Sequence, residues 1–283
     1  MSFQRPGMIL DVHALREELD DSRLRLVDCG WDGAAYGRAH IPGAVRRPGH
    51  AYVKEMNADG TRGSAVTGPE DFRLLCQRMA IAPDSRVVVY DDWGGLYATR
   101  LWWALRYYGF DDVRLLDGGW QAWVEAGLPV SFRPVEVPDV PPLDLAADPN
   151  RIISTEGLVD ALDDPDVQIF DVRTEDEYHG RNDRGNARAG RLPGAVNLEW
   201  NRLLENSSDQ KAVRRLRSSG EVEALIEGAG LDPARPVVTH CQAAIRATHT
   251  AFVLELMGFD PVRVYDGSAE EWANRYDTPL EAP

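Results

Sequence analysis

A strand-like run, Pro236-Val237-Val238-Thr239, leads straight into His240-Cys241-Gln242-Ala243-Ala244-Ile245-Arg246, after which a helical pattern begins. Cys241 therefore stands at the carboxyl end of a strand and just ahead of a helix N-terminus, where open α/β sheets hold their ligands. The unpaired amides and positive dipole end at such a place favour an anion, so a thiol there is expected to ionise more readily and act as a nucleophile. Ala243 and Ala244 are small enough to let the backbone curl with its N–H groups inward, a shape that suits a bound anion as well as a thiolate. Position alone does not establish catalysis, because most free cysteines at strand ends are small buried hydrophobes.

The neighbouring groups sort by the same reasoning. His240 adjoins Cys241, but neighbours along a strand point to opposite faces, so it reads as a packed or hydrogen-bonded histidine rather than a general base. Cys29 and Cys76 lack the loop-then-helix context and read as packing. Three scattered cysteines are too few for a disulfide framework or a four-ligand zinc site, and no metal is expected. Positive charge for an anionic ligand would come from Arg246, which closes the loop, and from Arg181, Arg184, Arg188 and Arg191. These four lie within eleven residues containing one acid, Asp183, and could focus an anion into a cleft, although any one of them reads more readily as part of a solvated surface loop.

The elements that position the loop occur twice. Val88–Trp123 laid on Val237–Trp272 without a gap matches 13 of 36 positions, among them Gly109/Gly258, Asp117/Asp266, Gly118/Gly267 and Trp123/Trp272. Leu26-Val27-Asp28 answers Ile169-Phe170-Asp171, and Ile41-Pro42-Gly43-Ala44-Val45 answers Leu192-Pro193-Gly194-Ala195-Val196. Residues 129–150 between the halves hold six of the 18 prolines and read as a linker. Within each half, apolar runs (24–27, 87–90 and 113–116; then 167–170, 236–239 and 262–265) alternate with helical patterns. Ala98–Tyr108 is one such pattern, ended by Gly109, and its counterpart is Ala247–Met257, ended by Gly258. This βα rhythm predicts a mainly parallel sheet with helices on both faces. In the first half Asp92 stands where the second has Cys241, so only one copy has a thiol.

Composition sets the outer bounds. With 43% hydrophobic and 27% charged residues, the 283-residue chain is ordinary globular protein with room for two domains. The 31 Lys and Arg against 46 Asp and Glu leave a formal charge of −15, which argues against nucleic acid and anionic lipid as partners. No basic stretch followed by an apolar run opens the chain and no long uncharged apolar segment follows, so no membrane association and a cytoplasmic location are expected.

The tandem layout, with Asp28-Cys29-Gly30-Trp31, His40-Ile41-Pro42-Gly43-Ala44, Asp171-Val172-Arg173, Cys241-Gln242-Ala243-Ala244-Ile245-Arg246-Ala247 and Asp266-Gly267-Ser268 in order, resembles the two-domain rhodaneses. These are the thiosulfate and 3-mercaptopyruvate sulfurtransferases, and the resemblance covers nearly the whole chain. It implies an α/β fold of two tandem rhodanese-like domains: residues 1–130 without the catalytic cysteine, a Pro-rich linker at 131–150, and a catalytic domain at 151–283. It also implies a double displacement in which Cys241 takes a sulfane sulfur from a small anionic donor, becomes a persulfide and passes the sulfur to a thiophilic acceptor such as cyanide or a thiol. The amides of Gln242, Ala243, Ala244, Ile245 and Ala247 would steady the persulfide and Arg246 the leaving group, with no metal or organic cofactor. Trp31 matches a cleft-lining tryptophan of the first domain. Asp171 and Arg173 match an orienting carboxylate and a substrate-side basic residue, with a plain salt bridge the other reading of Arg173.

Departures from the family pattern bear on the substrate. Thiosulfate-type members carry basic residues directly after the cysteine, where Gln242 and Ala243 are neutral. Mercaptopyruvate-type members have a serine at the place of Ala243, partnered by a histidine and an aspartate of the first domain; without it, His40 reads as structural. A further family arginine falls at Glu177, and a family tryptophan at Ala269. Thiosulfate is the favoured donor and mercaptopyruvate the alternative. Two rivals remain: a persulfide carrier or regulatory module with little turnover, and a cysteine phosphatase of related fold. The phosphatases separate Cys and Arg by five residues, where this loop has four, a tighter ring suited to one sulfur atom.

Overall fold

Strand residues alternate between two cores, and this alternation decides the architecture. The computed structural model describes residues 2–206, 209 and 212–282. Its first half holds β1 (Ile9–Leu10), β2 (Leu24–Asp28), β3 (Val45–Arg46), β4 (Lys54–Met56), β5 (Arg62–Val66), β6 (Arg86–Tyr90) and β7 (Val113–Leu116). The helices of this half are α1 (Val12–Glu18), α2 (Gly33–Arg38), α3 (Pro69–Gln77), α4 (Ala98–Tyr107) and α5 (Gly119–Glu125). Val27, Val87, Val89 and Leu115 pack to one side with α3 and α4, while Leu26, Val88, Tyr90 and Leu116 pack to the other with Leu15 of α1 and Trp123 of α5. A sheet buried on both faces in this way is the parallel kind.

The second half repeats the plan with β8 (Ile152–Ile153), β9 (Gln168–Asp171), β10 (Val196–Asn197), β11 (Val237–His240) and β12 (Val262–Tyr265). Its helices are α6 (Thr155–Ala161), α7 (Glu175–Tyr178), α8 (Ser219–Gly228), α9 (Ile245–Leu256) and α10 (Ser268–Trp272). The sheet orders are β1-β7-β6-β2-β3 and β10-β9-β11-β12-β8, with every pairing parallel. The α/β class and the tandem repeat expected from the sequence are thus present. The differences are local: α9 begins two residues earlier than the pattern suggested, β1, β3, β8 and β10 are two-residue edge strands, and β4 and β5 form an antiparallel pair outside the main sheets.

Helices α4 and α9 lie between the sheets and share one continuous core. The Trp102 and Phe252 rings meet edge to face at 5.0 Å, and almost every side chain of α9 is buried, as expected of a helix enclosed on all sides. Polar contacts flank this core. Buried Lys54 donates to the Asp266 carbonyl at 2.7 Å, Arg100 Nη1 donates to Asp266 Oδ1 at 2.6 Å, and Arg62 Nη2 reaches both oxygens of Glu270. A buried ion pair such as Arg100–Asp266 is weak evidence for added stability; together these contacts tie the first domain to Asp266 just ahead of α10 and to Glu270 within it. No helix among the described residues is long and apolar enough to cross a membrane.

Candidate active site

β11 ends at His240, α9 begins at Ile245, and the four residues between them curl back because Ala244 adopts the left-handed conformation at φ 67°. Cys241 is buried at the start of this loop. The Ser268 hydroxyl accepts the N–H groups of Cys241 and Ala244, each at 3.2 Å, and donates to the Tyr265 carbonyl at 2.9 Å. The Cys241 and Gln242 carbonyls accept from Ala269 and Glu270 at 2.9 and 2.8 Å, so the start of α10 holds the loop from beneath. The N–H groups of Gln242, Ala243, Ile245, Arg246 and Ala247 have no partner among the described residues. Three of them belong to the first turn of α9, where no intrahelical acceptor exists.

The first domain shows what such a ring of amides takes. There the residue before the loop is Asp91, and its carboxylate fills the ring: Oδ1 accepts from Trp93 and Gly95 at 2.8 Å each, and Oδ2 from Tyr97 and Ala98 at 2.7 and 2.9 Å. The equivalents of these four donors are Gln242, Ala244, Arg246 and Ala247. The residue equivalent to Asp91 is His240, which is buried with neither ring nitrogen hydrogen-bonded and Nε2 3.7 Å from Asp171 Oδ2. Burial pulls His240 down to about 4, so it is neutral at ordinary pH. One repeat thus carries its own anion, and the other, apart from the Ala244 amide held by Ser268, leaves these amides without a partner among the described residues beside a thiol.

Arg246 closes the loop, but its charge is compensated. Nη1 and Nη2 donate to Glu177 Oε2 and Oε1 at 2.7 and 2.8 Å. Burial on its own would raise the Glu177 carboxyl; the hydrogen bonds and charge of Arg246, with the Thr174 cap, outweigh it and hold the group at about 2. Arg173 is likewise committed: its Nε and Nη2 meet the Asp171 carboxylate, and Nη2 also donates to the Gly190 carbonyl at 2.9 Å. The plain salt bridge is therefore the arrangement adopted by Arg173.

The four arginines that could have focused an anion are engaged with neighbouring groups. Arg181 pairs with Asp176, Arg184 lies 3.9 Å from Glu177, and Arg191 pairs with Glu281. Arg188 donates to the Trp272 and Thr278 carbonyls. Trp31 is 53% exposed in an aromatic group with His50, Tyr52 and Tyr97, the last occupying the place of Arg246. This group connects to the cysteine loop through Arg62, which lies over the Tyr52 ring and grips Glu270. The ring nitrogens of His40 face the Tyr36 and Arg133 carbonyls at 2.8 and 3.1 Å, a structural placement. Cys29 and Cys76 are buried, and burial raises both thiols, Cys76 to about 12. Sequence reasoning missed the roles of Asp91, Glu177 and Ser268. Only the Asp-Gly-Ser turn, aligned with Asp117-Gly118-Gly119, hinted at the last.

Comparison with known proteins identifies the family. The "Rhodanese-like domain" profile matches twice, at residues 11–126 and 154–275. A thiosulfate sulfurtransferase of Corynebacterium glutamicum is 34% identical over 99% of this chain and 92% of its own length. The sulfur carrier protein TtuD of Thermus thermophilus is 30% identical over 99% of this chain and 98% of its own length. In fold the chain resembles the crystal structure of the 3-mercaptopyruvate sulfurtransferase SseA of Escherichia coli, with a TM-score of 0.79, 24% identity, and coverage of 92% of this chain and 98% of that one. The chain belongs to the rhodanese family of sulfurtransferases.

Proposed function

We propose that this rhodanese-family chain moves a sulfane sulfur from thiosulfate to a thiophilic acceptor, such as a thiol or cyanide, through a persulfide on Cys241. The Cys241 thiolate attacks the outer sulfur of thiosulfate, the S–S bond of the donor breaks, and sulfite departs with the bonding pair. An acceptor thiolate or cyanide then attacks the outer persulfide sulfur and releases the Cys241 thiolate, so no net oxidant is required. The observation that carries this reading is the set of free amides at Gln242, Ala243, Ile245, Arg246 and Ala247 around the cysteine, in a fold whose other copy fills the equivalent ring with the Asp91 carboxylate. A terminal persulfide sulfur is an anion of the kind such donors stabilise. Thiosulfate as donor is supported by the name of the Corynebacterium relative.

The carrier reading has its own support in the similarity to TtuD. Intact-mass analysis after exposure to thiosulfate is expected to show one added sulfur on the peptide bearing Cys241 and none in Cys241→Ser. Steady-state assays with a small thiol acceptor then separate an enzyme, which turns over many times, from a carrier, which loads one sulfur and stalls. Sulfur transfer by Cys241→Ser at the wild-type rate would sink both readings.

A further inference from the structure

We infer that Glu177 is a specificity-determining residue: by occupying the Arg246 guanidinium, it handicaps small dianionic sulfur donors relative to donors of lower charge. The inference rests on the Cys241 reading and adds to it a preference among donors. Arg246 is the one basic side chain in the 241–247 loop, and both of its terminal nitrogens are on Glu177. The carboxylate is fixed in place from its other side. Glu177 is the third residue of α7, in a reciprocal cap in which Thr174 Oγ1 donates to Oε2 and the Glu177 N–H donates to Oγ1. It cannot swing away without uncapping the helix.

The remaining charges around Arg246 do not restore a positive field. Glu199 feels the charges of both Arg246 and Glu177, which act on it in opposite senses, and Asp171 is committed to Arg173. On the basic side Arg184 lies 3.9 Å from Glu177 and is half exposed to solvent. A donor arriving at Cys241 thus meets amide dipoles, which bind one negative charge well, and a loop guanidinium already paired with a carboxylate.

The test compares two donors that react identically and differ in charge. Thiosulfate is a dianion, and methanethiosulfonate is a monoanion that gives the same Cys241 persulfide and releases methanesulfinate. In Glu177→Gln the amide can still accept the Thr174 contacts while the guanidinium is released. The ratio of kcat/KM for thiosulfate to that for methanethiosulfonate is expected to rise about tenfold, mainly through a lower KM for thiosulfate, the order expected when one unit charge is uncovered a few ångströms from a dianion near a protein surface. Glu199→Gln leaves the Glu177–Arg246 pair intact and should move the ratio the same way by about twofold, from the weaker field of a more distant, part-exposed charge. A merely structural Glu177 would lower both rates together, and an unchanged or falling ratio in the folded variant overturns the inference. Should Glu177→Gln fail to fold, an unchanged ratio in Glu199→Gln overturns it. Failure of either donor to put sulfur on wild-type Cys241 would instead overturn the underlying reading.

Discussion

Asp91 and His240 stand at the same place in the two repeats, each directly before the curled loop, yet Asp91 binds four amides of its loop and His240 binds none. A thiol placed in the first domain would therefore face amides already satisfied by a neighbouring carboxylate. Asp92→Cys is expected to leave the stoichiometry at one sulfur per chain, read by intact mass after thiosulfate treatment. The surroundings add to this, because burial and the charge of Asp91 raise Asp92 to about 6, and both would disfavour a thiolate there in the same way. Two equally fast sulfurs per chain would show that the Asp91 plug does not decide which repeat is active.

The repeated framework was readable because its central strands are short, mostly apolar runs rich in Val, Leu and Ile, and because glycines end α4 and α9 at φ 85° and 95° in aligned positions. The edge strands were not readable, since two residues such as Val45-Arg46 carry no period. Cys241 could be placed from local context alone. The partners of the arginines could not: Glu177 and Arg246 are 69 residues apart and meet only because α7 folds over the loop. The Asp91 plug escaped notice for a different reason. It depends on how the backbone curls, and the sequence shows only an acidic pair, Asp91-Asp92.

Ser268 supports the loop without belonging to it. Among the described residues its hydroxyl is the sole acceptor for the N–H groups of Cys241 and Ala244, and all three residues are buried. In Ser268→Ala two buried donors lose their partner, a cost of about 1–3 kcal/mol each when not relieved by water. Urea unfolding is expected to show a loss of that order. Stopped-flow loading of Cys241 should slow by more than tenfold, because the amide ring loses its support. Loading at the wild-type rate in a measurably destabilised variant would show that the ring holds its shape without Ser268.

His249, at the centre of the domain interface, makes stability respond to acid. Its Nε2 lies 3.2 Å from the Gly94 carbonyl, so that nitrogen carries the proton of a neutral ring, and burial pulls the group from 6.5 down to about 4. Below pH 6.5 the unfolded chain takes up a proton here that the folded chain refuses until about pH 4, so this group erodes stability as pH falls through that window. His240 acts in the same sense, whereas Asp92 and Asp117, both raised to about 6, act in the opposite one and mask the effect in the wild-type profile. The difference between proteins exposes it. His249→Gln, which keeps a donor for Gly94, should gain about 2 kcal/mol relative to wild type between pH 7 and pH 5, measured by urea unfolding at both. A pH-independent difference would mean that the folded protein takes up a proton on this ring as readily as the unfolded chain does.

The pairing of Arg246 with Glu177 separates two roles for the arginine, as a partner for a buried carboxylate and as a stabiliser of the leaving sulfite. Arg246→Ala removes both and strands Glu177, so unfolding should show a loss of about 3–5 kcal/mol, the usual cost of leaving one member of a buried pair unpaired. Thiosulfate kinetics should show a raised KM, since an unpaired carboxylate beside Cys241 repels the dianion, and also a lowered kcat, since no cation meets the charge developing on sulfite. The double variant Glu177→Gln/Arg246→Met takes the stranded charge away. It is expected to recover most of the stability and much of the KM, because both losses come from the orphaned carboxylate. The kcat should stay low, because the guanidinium is still absent when the S–S bond breaks. Full recovery of kcat in the double variant would show that Arg246 serves only to neutralise Glu177 and that the amides of residues 242–247 handle the leaving group alone.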